Sequence, residues 1–469
     1  MIFSSPPFFF FFSIYLLFHL VVPARYRLAL IIAGSTFFYG YWNPWYVWLP
    51  YLLLLIAFFG AQWIEAARGT SKLFRRAAFV VSLLLMPLAV IKYTNFFYVD
   101  VLGFFLGFRG QLVHWAFPLG VSFITFTMIA YVVEVYRGNY QLEKRPGLLA
   151  GLVLFFPHLI AGPILRPNDL LPQLHHPKPA RRAFGIRFVY GLAIFSIGLL
   201  KKLVFADTLS DAVKAVYEGT SWGLSRADYL LAWYGFCVQI YCDFSGYTDM
   251  AIGIAIVVGV RLPINFMHPF TSASIIEFWR RWHITLSTWL RDYLYIPLGG
   301  NRKGLAVQVR NVLLTMGLGG LWHGAHWTFV IWGLWHGAGI ASVHLANRST
   351  LPKSLTVLPR WFRIFVTFHF VCVGFIFFRA ADLTAAWRVI AGPFTAPLGS
   401  VGAFASVHLF ELILLVAFFV THSRDSHRAI RRAVHRLPAV AYWPIVALIW
   451  LFAIAISQES SSKFIYFDF

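Results

Sequence analysis

Apolar stretches recur along the whole chain, at residues 8–22, 28–41, 46–64, 77–98, 116–136, 148–165, 184–205, 228–260, 305–345, 362–378, 406–421 and 440–457. No single soluble core could hide that much apolar surface, whereas a lipid bilayer accepts it. An upright helical span needs about 20 residues to cross about 30 Å of hydrocarbon. Stretches shorter than that read as tilted, broken or re-entrant helices. The expected fold is therefore all-α, a polytopic bundle of about ten to twelve spans with re-entrant or interfacial helices. Composition agrees: only 12% of the 469 residues are charged, where soluble domains carry about twice that share. The mean hydropathy of +0.70 excludes a soluble enzyme with a single anchor.

The formal charge of +21 would suit a nucleic-acid binder, but its distribution argues otherwise. Lysine and arginine gather in short loops between apolar runs: Arg25 and Arg27; Arg68, Lys72, Arg75 and Arg76; Arg137, Lys144 and Arg145; Lys178, Arg181 and Arg182; Arg424, Arg428, Arg431, Arg432 and Arg436. This is the positive-inside pattern, which places those loops in the cytoplasm and makes the bilayer, not nucleic acid, the partner. Met1 and Phe469 are then expected outside, with Trp42-Asn43-Pro44-Trp45 as an outer turn. The N-terminal MIFSSPPFFFFF lacks a basic lead and a small-residue cleavage site, so it reads as a first span. Proline density over 163–179 marks a cytoplasmic loop. Cys237, Cys242 and Cys372 are odd in number and have no zinc-like spacing, so they are assigned to packing. With no repeat and no long linker, residues 1–469 are expected to form one membrane domain.

Polar groups inside such a chain point to function, because an unpaired one in hydrocarbon costs several kcal/mol. Residues 277–293, EFWRRWHITLSTWLRDY, plot as an amphipathic interfacial helix, with Trp279, His283, Leu286 and Leu290 on the apolar face. His283 thus turns toward protein or lipid. Gly299-Gly300-Asn301 with Arg302 and Lys303 reads as a basic turn at the membrane surface. In YCDFSGYTDM (241–250), Asp243 and Asp249 are intramembrane acids; two readings stand equally, a functional acid that orients a histidine or holds a helix junction, and a structural hydrogen-bond knot around Ser245 and Gly246.

The densest polar constellation is GLGGLWHGAHWTFVIWGLWHG, residues 317–337. Glycines 317, 319, 320 and 324 permit close helix approach or a break beside His323. A broken helix in a membrane is tolerated only against protein or a wet cavity, so His323 is expected at a cavity. His326 and His336 suit packing better, with their ring nitrogens satisfied by backbone or by an indole-lined pocket. No third ligand accompanies His283 and His323, so no metal site is assigned, and no G-x-S-x-G elbow supports a serine triad. What fits is an imidazole near pKa 6.5 acting on a hydroxyl.

Taken in order, YCDFSGYTDMAIG, FWRRWHITLSTWLRDYLYIPLGGNR and GGLWHGAHWTFVIWGLWHG resemble the membrane-bound O-acyltransferase superfamily, and within it the bacterial alginate O-acetylation membrane proteins. The start, MIFSS with PARYRLALIIAGSTFFYGYWNP, and the end, KFIYFDF, are similar too, so the resemblance spans the chain. It implies a helical bundle with a central funnel meeting a cytoplasmic opening. It implies that His323, the histidine of WHG, is catalytic, with His283 at the family's second position. In GLLKKLVFAD it implies an important acid, matched by Asp207; Asp243 and Trp322 join it as supporting polar residues. No cofactor is expected to be bound. The resemblance implies acetyl-CoA or another acetyl donor at the cytoplasmic face. It also implies a periplasmic SGNH or GDSL-type partner serving a polysaccharide of alginate, cellulose or peptidoglycan type, and a location in the bacterial inner membrane. Within the same superfamily stands D-alanine transfer to teichoic acids. A transporter or scaffold without covalent chemistry is the competing class, and the absence of an internal repeat weighs against it.

Overall fold

The structure, a computed structural model, describes residues 1–106, 118–177, 184–220, 223–348, 358–457 and 464–465. Lys178, Arg181, Arg182 and Phe469, which bear on the expected topology, lie outside the described residues. Among the described residues there are helices and turns but no strand.

Among the described residues, six helical segments are long and apolar enough to cross a bilayer: Pro44–Glu65, Leu73–Val99, Phe184–Tyr217, Trp327–Asn347, Arg360–Arg379 and Ala439–Ile456. A seventh crossing arises if Val401–Val407 and Leu409–Arg424, bent by 79°, count as one broken span. Several of the other apolar stretches are helical but short, such as Pro6–Val21 and Val121–Arg137. Others carry polar residues along their length, such as Arg226–Val257 and Leu305–His323.

The chain forms two compact units. The first comprises Met1–Phe195 and Tyr247–Ile264. Here Pro6 starts the first helix without wasting a backbone donor. Its phenylalanine run divides by helical period: Phe8 and Phe11 turn inward against Phe38 and Phe156, while Phe10 is exposed. At the centre lies Val121–Arg137, buried along almost its whole length and packed against Trp48–Glu65 and Leu73–Asn95. The expected turn at Trp42–Trp45 is present. Asn43 accepts a hydrogen bond from the Trp45 N–H at 3.0 Å, and the Trp45 indole is exposed.

The second unit comprises Ser196–Gly246 and Asn265–Phe469 and carries every candidate site residue. Its spine is the antiparallel pair Leu305–His323 and Trp327–Arg348, against which Arg360–Arg379 packs. Gly320 and Gly333 let the pair close. A β-carbon on Gly320 would sit 2.1 Å from the Phe329 carbonyl oxygen, and one on Gly333 2.2 Å from that of Met316. A core of Phe236, Phe278, Trp282, Trp332, Phe375 and Phe378 fills the space between these helices and the short ones around residue 280.

Candidate functional site

The helix Leu305–His323 ends where the glycines predict. Gly324 leaves it in an extended conformation and the chain restarts at Trp327. His323 is therefore the last helical residue, only 5% exposed. Its imidazole is walled by Trp322, Trp332 and Phe378, with ring centres 4.8, 5.1 and 5.3 Å away.

The expectation of one amphipathic helix over 277–293 is corrected. Ser274 caps a short helix, Ile275–Trp279, and a second, Ile284–Leu290, starts after a turn. At the break, His283 has φ +41° and ψ +55°, a left-handed conformation that residues with a β-carbon seldom adopt. The reason lies upstream, in Asn265. Its carbonyl accepts the Ile284 N–H at 2.9 Å. Its side-chain oxygen accepts the Thr285 N–H at 3.1 Å and the Thr285 hydroxyl at 2.9 Å. A helix N-terminus leaves such donors unmet; Asn265 meets them from outside, so the chain can break at His283.

That break brings two distant histidines together. The His283 ring is fully buried, and its centre lies 6.5 Å from that of His323. Phe244 stands edge-on to His283 at 4.7 Å, with Phe266 and Trp322 farther out. His283 lies outside every candidate span, and burial lowers its pKa to about 3, which keeps the ring neutral. Two imidazoles this close, in a mostly apolar surround, can both touch one small group, such as an acyl carbonyl or the hydroxyl that receives it.

The two acids take a different part. Lys202 Nζ lies 2.8 Å from Asp207 and 2.8 Å from Asp243, all three buried. The second oxygen of Asp243 accepts the Ile465 N–H at 2.8 Å. These contacts place Asp243 at a helix junction: the triad fastens the π-helical turn Lys201–Ala206 to the helix Arg226–Val257. The next residue in sequence, Phe244, packs against His283.

The other two histidines differ from each other. His326 Nδ1 accepts the Thr328 N–H at 3.3 Å and meets the Thr328 hydroxyl at 3.0 Å, a local cap at the helix restart. His336 is fully buried in a box that includes Phe278, Trp279, Trp332 and Phe370. Among the described residues neither of its ring nitrogens has a hydrogen-bond partner. Of the two surrounds expected for it, backbone or an indole-lined pocket, the contacts among the described residues are those of the second. Among the described residues, no three His, Cys, Asp or Glu side chains gather as a metal ion would require.

Sequence reading missed Asn265 and Lys202. Asn265 sits in RLPINFMHPF, a polar residue in a non-periodic stretch, where nothing announces that its side chain caps a helix nearly twenty positions on. Lys202 had a signal: a lysine inside an apolar run, five residues before an acid.

Residues 144–385, which contain all the site residues named above, match the membrane-bound O-acyltransferase family. A probable alginate O-acetylase of Azotobacter vinelandii is 36% identical over an alignment covering all of both chains. A peptidoglycan O-acetyltransferase of Helicobacter pylori is 36% identical over 77% of this chain and 72% of its own. A teichoic acid D-alanyltransferase of Bacillus subtilis is 28% identical over 55% of this chain and 68% of its own. The chain is a multi-pass membrane O-acyltransferase and belongs to the membrane-bound O-acyltransferase family, within its alginate O-acetylase-like branch.

Proposed function

We propose that this protein passes acetyl groups from a cytoplasmic donor, acetyl-CoA or another acetyl donor, across the bacterial inner membrane toward an exported polysaccharide. A periplasmic SGNH or GDSL-type partner completes delivery. The relatives named for O-acetylation of alginate and peptidoglycan support the acetyl group and the polysaccharide acceptor. The observation that carries the site assignment is the meeting of His283 and His323 at two helix ends, 6.5 Å apart and screened from water.

The chemistry is acyl exchange. With a thioester donor, the acceptor oxygen attacks the acetyl carbonyl and the C–S bond breaks. His323 takes the hydroxyl proton and returns it to the departing sulfur, so the products are an ester and a thiol. In the two-step form the His323 nitrogen attacks the thioester carbonyl, the C–S bond breaks and the thiol leaves with the ring's proton; the acceptor hydroxyl then takes the acetyl group from the nitrogen and returns its proton to the ring. Proton transfer from a positioned imidazole contributes about 10²–10⁴-fold in rate. His283, neutral in its apolar surround, orients the hydroxyl or the carbonyl beside it. The polymer exported by cells with and without this chain tests the reading through its ester-linked acetyl content. Loss of acetyl without the chain supports it; unchanged acetyl together with loss of ester-linked D-alanine would move the assignment to aminoacyl transfer.

A further inference from the structure

We propose that Asn265 is a positioning residue that fixes which nitrogen of His283 carries the proton. The inference builds on the reading that His283 takes part in transfer. It starts from a donor whose identity is beyond choice. A backbone N–H can only donate, and that of Thr285 points at the Asn265 side chain at 3.1 Å. The Asn265 atom facing it must therefore be the amide oxygen; the flipped amide would set N–H against N–H. That same oxygen lies 3.2 Å from His283 Nδ1. An amide oxygen only accepts, so Nδ1 must be the protonated nitrogen. In a neutral ring Nε2 then holds the lone pair.

The consequence is chemical. The tethered ring presents an acceptor at Nε2, suited to holding the incoming hydroxyl before its proton passes to His323 and unsuited to donating to a carbonyl. The backbone adds to the control. Asn265 binds the Ile284 N–H through its own carbonyl, so it holds both the imidazole and the left-handed turn at φ +41°. Both members of this pair are fully buried, and water cannot readily supply the alternative tautomer with a partner. Wrong-tautomer variants in histidine-dependent acyl transfer lose up to about 10⁴-fold in rate, which shows how much such a tether can matter.

The test uses the full chain in membranes, with polymer acetylation normalised to membrane protein level and solid-state nitrogen NMR of protein labelled at histidine. The His283 signal is assigned by its disappearance in His283→Ala. The wild-type ring should show a protonated Nδ1 and an unprotonated Nε2. Asn265→Leu, which removes the acceptor, should shift the ring toward Nε2–H and lower acetylation per molecule by about 10-fold or more. Asn265→Asp keeps an acceptor at the same place and should remain well above Asn265→Leu. A wild-type His283 protonated on Nε2 would overturn the proposal, and so would Asn265→Leu at near-normal activity while His283→Ala is inactive. A fully active His283→Ala would instead remove His283 from transfer, leaving the NMR to decide the tether by itself.

Discussion

At His283 a residue with a β-carbon holds a backbone conformation that favours glycine. Strain of this kind costs on the order of 1–3 kcal/mol and persists where surrounding contacts impose it; here Asn265 imposes it from two sides. His283→Ala should accumulate in the membrane yet transfer less. His283→Asn should recover part of the loss, because an amide restores a donor and an acceptor. Equal activity of the two variants, per molecule, would contradict a polar role for this side chain. His336 makes the opposite case. Its ring sits in an aromatic box with no hydrogen-bond partner among the described residues, and an unmatched buried polar group costs about 1–3 kcal/mol. His336→Phe keeps a ring of similar shape and removes the unmatched nitrogens, so protein level and acetylation per molecule should both hold. His336→Ala opens a cavity and should lower the amount of protein. Immunoblots of membranes alongside polymer acetyl content check both, and inactive but abundant His336→Phe would place this histidine in the chemistry.

Among the elements, the junction at Lys201–Ala206 depends most on charge. Asp207 and Asp243 share the single cation of Lys202. Removing one partner of a buried ion pair costs about 3–5 kcal/mol, since the remaining charges are stranded. Lys202→Met should therefore cut the level of folded protein sharply, whereas Lys202→Arg, which keeps the cation, should cut it less. Thermal unfolding in detergent gives the measure, and a Lys202→Met protein as stable as wild type would refute the junction role. Part of the helix pair at the site was legible in the glycines: they allowed a close approach or a break beside His323, and the structure has both, a close crossing at Gly320 and a helix end at His323. The turn at His283 was not. The apolar periodicity of 277–293 is sound for a helix, and what interrupts it is a side chain from residue 265, a long-range contact that no local pattern carries. Asp243 was ambiguous for the same reason, its cation lying in another helix.

Over the whole molecule, apolar side chains face outward in large numbers, among them Phe10, Leu17, Val420, Val440 and Leu448. On a soluble protein such a surface would aggregate; on a membrane protein it meets lipid. The basic loops 66–76, 137–146 and 424–437 should lie in the cytoplasm and both chain ends outside, and fused reporters active on only one side of the membrane would show it. A C-terminus read in the cytoplasm would reverse the topology. The central claim is that acyl transfer passes through His323, the buried histidine at a glycine-loosened helix end facing His283. Its most direct measurement is the acetyl content of exported polymer made by His323→Ala, normalised to the protein present in the membrane. Acetylation should fall by at least about 10²-fold with near-normal protein level; near-normal acetylation by a well-expressed His323→Ala would contradict transfer through this histidine.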